Sequence, residues 1–298
     1  MNKQLLTIYA RSPIHVGSGS SVDIVDLPIM RERITAFPVI PSTSLKGVLL
    51  QWSREKWGDA RKEAIPEKSE IIFGYSKKIN KGNEEEQISA AGCVQIMEGK
   101  ILAFPVRSLA GCFAWITCPT VLERFNRDTG KNIPIPNVEK DKAIAGSEII
   151  TNNQVVLEEY ALGVQNGINI KAGDVANKML DIVDDPVWKS KLTGRLAIVH
   201  DENFQHFVTT CTEVNTRIAI DPASRTNTSG ALFNQENVPS ESVFYSVLHI
   251  LPPRGEKKNE NPEALLDELF NPQPLILQIG GDETTGFGLC EIKKIKLS

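Results

Sequence analysis

The chain has 298 residues, 41% hydrophobic and 23% charged, enough for one large folded unit or two ordinary ones with a sizeable core. A formal net charge of −4 excludes a uniformly basic nucleic-acid binder, and five cysteines without a CxxC pair argue against a zinc site or a disulfide framework and for a reducing cytoplasm. No charged-then-apolar leader opens the chain, and no apolar run approaches a membrane span.

In chain order, residues 4–10 read as a first strand, and the Gly, Ser and Asp content of 11–27 reads as a loop. Residues 42–57 predict a helix capped by Ser42, with Leu45, Val48, Leu49 and Trp52 on one core-facing stripe. The polar stretch 76–90 predicts a mobile loop. Strands near 92–97 and 100–106 follow, joined by the tight-turn signal Glu98-Gly99, and Pro119 opens a short helix that ends by Gly130. Residues 131–173 lack steady periodicity and predict an inserted subdomain or long hairpin, with 154–164 as strand. Helices are expected at 174–183 and 201–209, with a strand at 194–200 between them. Apolar pieces at Arg217–Ile220 and Ala231–Phe233 flank a polar turn. Ser242–Leu251 reads as a strand, Asn261-Pro262 starts a helix through Phe270, and strand Leu275–Ile279 leads through a glycine loop to a last strand. Strand–helix–strand order at both ends predicts an α+β fold of ferredoxin-like type with insertions. Neither a tandem repeat nor a linker divides it.

The densest chemistry lies between His15 and Gly47. A Gly/Ser turn lets backbone approach a phosphate, the Pro41-Ser42-Thr43-Ser44 helix start offers unpaired N–H groups to an anion, and Arg31, Arg33 and Lys46 supply positive charge. Lys46 sits in a first helical turn, where the dipole prefers acids; a bound anion removes that conflict. Residues 1–62 carry nine Lys/Arg against five acids, while 139–185 carry nine acids against four lysines, so a basic face can coexist with an acidic total. Asp23 and Asp26 are either solvated loop acids or donors to a divalent metal with retained waters. His15 is either a hydrogen-bonded structural histidine or a proton-transfer group, and Arg31 and Arg33, alternating about Glu32, either project together or pair with acids. The glycines at 280, 281, 286 and 288 belong to neither a Walker loop nor a dinucleotide fingerprint; they serve a hairpin turn or phosphate contact. No GxSxG elbow or HExxH helix is present.

Together these blocks resemble the RAMP superfamily of CRISPR proteins. His15-Val16-Gly17-Ser18-Gly19, Val25-Asp26-Leu27-Pro28, Arg31-Glu32-Arg33, Pro38-Val39-Ile40-Pro41, Ser44-Leu45-Lys46-Gly47 and the 280–288 loop carry the likeness. Pro105-Val106-Arg107-Ser108, Phe113-Ala114-Trp115, Thr216 to Asp221 and Gly230-Ala231-Leu232-Phe233 narrow it to the backbone subunits of type III-B, or Cmr, effector complexes. The resemblance implies one RAMP unit over 1–298: an RRM-like palm with a helical insertion and a protruding thumb hairpin, expected within 131–173. It implies copies stacked head to tail along a guide RNA with other effector subunits, and cleavage of single-stranded target RNA at regular intervals with a divalent metal, Mg or Mn. By the same resemblance Asp26 is the catalytic, metal-binding aspartate, Glu236 the nearest match to a further acid at the cut site, and Lys46 with Ser44 a guide-backbone contact. Gly280, Gly281, Gly286 and Gly288 lie near the guide, and Arg31 and Arg33 are expected to meet RNA phosphates. The rival readings are a non-catalytic guide-binding scaffold, a metal-independent guide-processing nuclease using His15, and a ferredoxin-like module that binds no nucleic acid.

Overall fold

A computed structural model describes residues 2–20, 25–58, 65–81, 84–167, 169–220, 225, 227–253 and 260–297. Its elements are β1 (Asn2–Ala10), β2 (Val39–Ile40), α1 (Ser42–Trp57), α2 (Glu67–Phe73), β3 (Gly74–Lys81), β4 (Glu84–Ala91), β5 (Val94–Ile96), β6 (Gly99–Arg107), β7 (Phe113–Thr117) and α3 (Pro119–Thr129). There follow β8 (Lys142–Ala145), β9 (Gln154–Leu157), β10 (Tyr160–Val164), α4 (Ala172–Met179), α5 (Pro186–Arg195), β11 (Leu196–Val199) and α6 (Asp201–Thr210). The last are β12 (Glu213–Ile220), β13 (Asn227–Asn237), β14 (Val243–Ile250), α7 (Pro262–Leu269), β15 (Leu275–Gln278) and β16 (Leu289–Lys296).

Seven consecutive buried residues, Gln4–Ala10, suit β1 to the middle of a sheet covered on both faces. It lies antiparallel between β14 and β16, pairing Leu5 with Val247 and Ile295. Among the described residues twelve strands join one sheet in the order β15-β16-β1-β14-β6-β7-β11-β8-β10-β9, with β2 added to β6 and β5 to β14. The run β16-β1-β14-β6 is antiparallel throughout; α1 falls between β1 and β6 in the chain, and α7 between β14 and β16. Trp188 of α5 is fully buried edge-on against Tyr9 and Trp115, and its indole N–H donates to the Met179 carbonyl. The buried Trp115 indole likewise donates to Glu241 O, so these large rings bury apolar area without orphaning a donor.

The mixed α+β class is the expected one, and most elements fall where the pattern put them. Several details differ. Helix α1 is preceded by Pro41 without a side-chain cap, so Ser42 is its first residue rather than its N-cap. The stretch 76–90 is the ribbon β3–β4, paired from Gly74↔Ala91 to Lys81↔Glu84, because a two-stranded ribbon outside the sheet needs no apolar alternation. Glu98-Gly99 joins no hairpin; β5 and β6 both pair with β14 as one interrupted strand. The 131–173 segment does not protrude. Its β10 runs parallel to β8, which pairs with β11, and the buried side chains of Val155, Leu157 and Leu162 hold it on the common core. The ribbons outside the sheet are β3–β4 and β12–β13. Helix α5 was not anticipated, although Asp185-Pro186 is a start signal: the Asp185 carboxylate accepts from the Val187 and Trp188 amides.

Trp188→Ala should lower unfolding free energy by about 3–5 kcal/mol, the usual cost of emptying a buried aromatic site. Urea unfolding followed by circular dichroism measures it; a loss below about 1 kcal/mol would contradict the packing described.

Candidate nucleic-acid interface

The site is organised at the root of the β12–β13 ribbon, where Glu236 is buried. One carboxylate oxygen takes Arg31 Nη2 at 2.5 Å and the Thr212 hydroxyl at 2.8 Å; the other takes the Ile29 amide at 3.0 Å. Arg31 also donates to the carbonyls of Ala36 and Val208, each at 2.9 Å. Glu236 and Arg31 are engaged with each other, and both fix the 25–31 segment against the ribbon. This gives both a structural role beside the catalytic and RNA-contacting roles expected of them. Arg33 is exposed on the turn after Arg31, because residues 33–35 leave the extended path, so the two arginines do not share a face.

Asp26 rides on the same segment. Leu27 forms a parallel bridge with Gln235, its amide donating to Asn234 O and its carbonyl accepting from the Glu236 amide. This hands the Asn234 amide to Asp26 Oδ2 at 2.7 Å. The Asp26 side chain is exposed, and Oδ1 has no protein partner among the described residues. Asp23 lies outside the described residues.

The opposite face of the ribbon root holds the C-terminal glycine loop. Arg217 pairs with Asp282 at 2.8 Å and lies over the Phe287 ring, while Gln235 donates to Asp282 at 2.6 Å. The loop meets the first loop backbone to backbone: the amides of Gly281 and Gly288 donate to the carbonyls of His15 and Pro13. A Cβ on Gly280 would come within 2.2 Å of His15 O at a φ of +93°, so glycine is required there. Gly288, at φ +74°, is bound by the same limit against Ile279 O; Gly286 caps a short helical turn. His15 Nδ1 lies 2.7 Å from Glu236 O, a carbonyl that can only accept, so Nδ1 donates there and Nε2 lies beside Gly17.

These contacts shape an open groove of about 680 Å³ lined by His15, Gly17, Gly19, Leu27, Ser44, Gly47, Gly280 and Gly281 among others. Helix α1 starts at its edge with no acid in the first turn and no side-chain cap, leaving N–H groups available to an anion. The structure thus brings His15, Ser44, Gly280 and Gly281 together, with Asp26 adjoining through Leu27. Gly286 and Gly288 shape the loop without lining the groove. Lys46 is exposed on the far side of α1, in a second open groove of about 740 Å³ with Leu50, Tyr75 and Gln95. Sequence reasoning missed Thr212, Asn234, Gln235 and Asp282; their polar letters on a ribbon strand carry no sign of which ones reach across to another loop. Among the described residues no three His, Cys, Asp or Glu side chains gather to hold a metal. One exposed carboxylate fits an ion shared with RNA phosphates and water rather than an all-protein cage.

A twelve-stranded α+β sheet carrying a glycine-lined groove and a ribbon-rooted carboxylate matches a known class along most of its length. Residues 7–291 match the RAMP superfamily model, and the chain belongs to that superfamily. It is 36% identical to the CRISPR system Cmr endoribonuclease Cmr4 of Pyrococcus furiosus, over 98% of this chain and 95% of the relative. It is 24% identical to the CRISPR system CMR subunit Cmr4 of Saccharolobus solfataricus, over 96% and 94%. Among solved structures, oligomeric Cmr4 from Pyrococcus furiosus superposes with a TM-score of 0.75 at 33% identity, covering 100% of both chains. A type III-B Cmr-beta complex bound to cognate target RNA contains a chain of the same fold, with a TM-score of 0.71 at 19% identity over 99% of this chain and 97% of that one.

Glu236→Ala should cost about 3 kcal/mol, because it strands the Arg31 guanidinium and the Ile29 amide. Amide exchange in 25–31 should accelerate more than in β1. Unchanged protection of that segment would show that Glu236 does not hold it.

Proposed function

We propose that this chain is the repeating backbone subunit of a type III-B CRISPR effector complex, and that it cuts guide-bound target RNA with Asp26. In this reading the β16-β1-β14-β6 run with α1 and α7 is the ferredoxin-like palm, and the β12–β13 ribbon is the thumb. The observation that carries the reading is the Asp26 carboxylate: exposed, with an open oxygen, yet registered by backbone bonds at the root of a ribbon beside a glycine-lined groove. The resemblance to the Pyrococcus furiosus endoribonuclease supports the activity.

The groove has the properties of a backbone binder. Ser44, Gly280, Gly281 and the open amides of α1 suit phosphate and ribose oxygens of any sequence, leaving sequence choice to pairing between guide and target. Lys46 adds a point charge from the neighbouring groove. Copies stack along the guide, and other effector subunits close the assembly.

For cutting, a splayed nucleotide sets its 2′-hydroxyl in line with the adjacent phosphorus. Asp26 accepts a hydrogen bond from that hydroxyl and orients it. The 2′-oxygen attacks phosphorus as its proton passes to solvent water, the bond to the 5′-oxygen breaks, and the departing oxygen takes a proton from water. The products are a 2′,3′-cyclic phosphate and a 5′-hydroxyl. Positioning and charge stabilisation supply most of the acceleration. A divalent metal, Mg or Mn, held by Asp26 and the phosphate would neutralise developing charge. The runner-up, metal-free proton transfer by His15, has support in the place of its ring in the groove, with Nδ1 anchored on Glu236 O.

Asp26→Asn complexes should assemble and hold guide normally while target cleavage falls at least about 100-fold. Chelation should stop cleavage by the unaltered complex. Cleavage that survives both treatments and is abolished by His15→Ala favours the runner-up; survival of all three overturns Asp26 as the catalytic group. Lys46→Ala should weaken guide binding equally for all sequences and lower the salt slope of log K by roughly 0.7. A sequence-dependent loss would contradict a phosphate contact.

A further inference from the structure

Attack on a phosphodiester gathers negative charge on the two non-bridging oxygens of phosphorus, and a donor aimed at either one lowers the barrier. The cations around the ribbon root have other partners or lie apart. Arg31 pairs with Glu236, Arg217 pairs with Asp282 on the opposite face, and Lys46 stands on the far side of α1. A neutral donor lies closer to Asp26 than these. Asn234 follows the exposed strand residues of β13 and is itself half-buried at the ribbon root.

Most of its polar groups are already assigned. The Asn234 amide donates to Asp26 Oδ2 at 2.7 Å, and its carbonyl accepts from the Leu27 amide at 3.0 Å. Its side-chain Oδ1 accepts from the Thr216 hydroxyl at 2.8 Å. What remains is Nδ2, which carries two N–H donors and has no partner among the described residues. Thr216 stands directly opposite Asn234 in the β12–β13 register, so the two side chains share one face of the ribbon. With Oδ1 turned to that hydroxyl, the N–H groups turn away from it. The bond between the Asn234 amide and Asp26 also limits the spacing: in any rotamer Nδ2 stays within roughly 8 Å of the Asp26 carboxylate. That is about the span of a 2′-hydroxyl and its neighbouring phosphate with a hydrogen bond at each end.

We infer that Asn234 is a second catalytic residue: its Nδ2 donates to a non-bridging oxygen of the phosphate under attack while Asp26 orients the 2′-hydroxyl. Thr216 is a positioning residue that keeps the amide the right way round. Asn234 transfers no proton. Its hydrogen bond strengthens as charge grows on the phosphate oxygen, so it acts on the transition state more than on bound RNA. One residue thus holds Asp26 through its backbone and meets the phosphate through its side chain, which fixes the two groups relative to each other across a few bonds.

The inference rests on Asp26 as the cutting residue, and single-turnover cleavage of target by the guide-loaded complex separates the two. Asn234→Ala keeps the backbone amide that holds Asp26, so target affinity should stay within about threefold while the rate falls about 100-fold. Asn234→Asp keeps the shape and the Thr216 contact but replaces the donor with an anion, and should be at least as slow. Thr216→Val should slow cleavage about tenfold, and Thr216→Ser should restore it. Targets with sulfur in place of one non-bridging oxygen at the cut phosphate report on the contact itself. The slowing caused by one of the two diastereomers should disappear in Asn234→Ala, because the partner it weakens is already gone. If Asn234→Ala cuts at the unaltered rate, or is slow with both sulfur penalties intact, the inference is overturned; an inactive Asp26→Asn alongside leaves the Asp26 reading standing. Cleavage by Asp26→Asn at the unaltered rate overturns that reading and the inference with it.

Discussion

A buried carboxylate held by three donors governs this site. Glu236 collects the Arg31 guanidinium, the Thr212 hydroxyl and the Ile29 amide, and its own backbone carbonyl holds the His15 ring. Three chain segments far apart in sequence are thereby set on one strand of a ribbon that has no sheet behind it. Burying such a charge is costly unless it is paired and hydrogen-bonded, and here both conditions are met. Its return is geometric. The loop bearing Asp26 has few buried side chains of its own, and takes its register from the strand it is tied to.

The two faces of the ribbon root do different work. One fixes the 25–31 segment through Glu236; the other fixes the C-terminal loop through Asp282, which joins Arg217 and Gln235. Adjacent residues Gln235 and Glu236 point to opposite sides, as strand alternation requires, so a single short stretch can anchor both walls of the groove. A purely apolar root could bury as much area. It could not specify the directions in which two polar loops approach, which is where hydrogen-bond geometry adds specificity.

Much of this was legible in the sequence. The strand at β1 announces itself by the short apolar-rich stretch Leu5-Leu6-Thr7-Ile8-Tyr9-Ala10, α1 by its spacing of Leu45 and Leu49, and α7 by Asn261-Pro262, whose cap is formed as expected. His15, Ser44, Gly280 and Gly281 were singled out and do line one groove. The pairing of Arg31 with Glu236 was not legible for a plain reason: a charge held by a partner and a charge offered to a ligand are the same letter, and the partner lies about two hundred residues away. The protruding ribbon was sought at 131–173 because that stretch lacks period. Its apolar residues suffice to join the sheet, whereas β12–β13 stands clear, with Val214, Ile218 and Leu232 left exposed.

The close approach of Gly280 to His15 has a bearing on how the protein comes into being. One wall of the groove leaves the ribosome early and the other some 265 residues later, and β1 waits as long for β16 beside it. During synthesis the first loop can pair with residues 28–30, but its contacts with Glu236 and with the C-terminal glycines must wait. The groove therefore takes its described shape only once the C-terminal loop has emerged, late in translation.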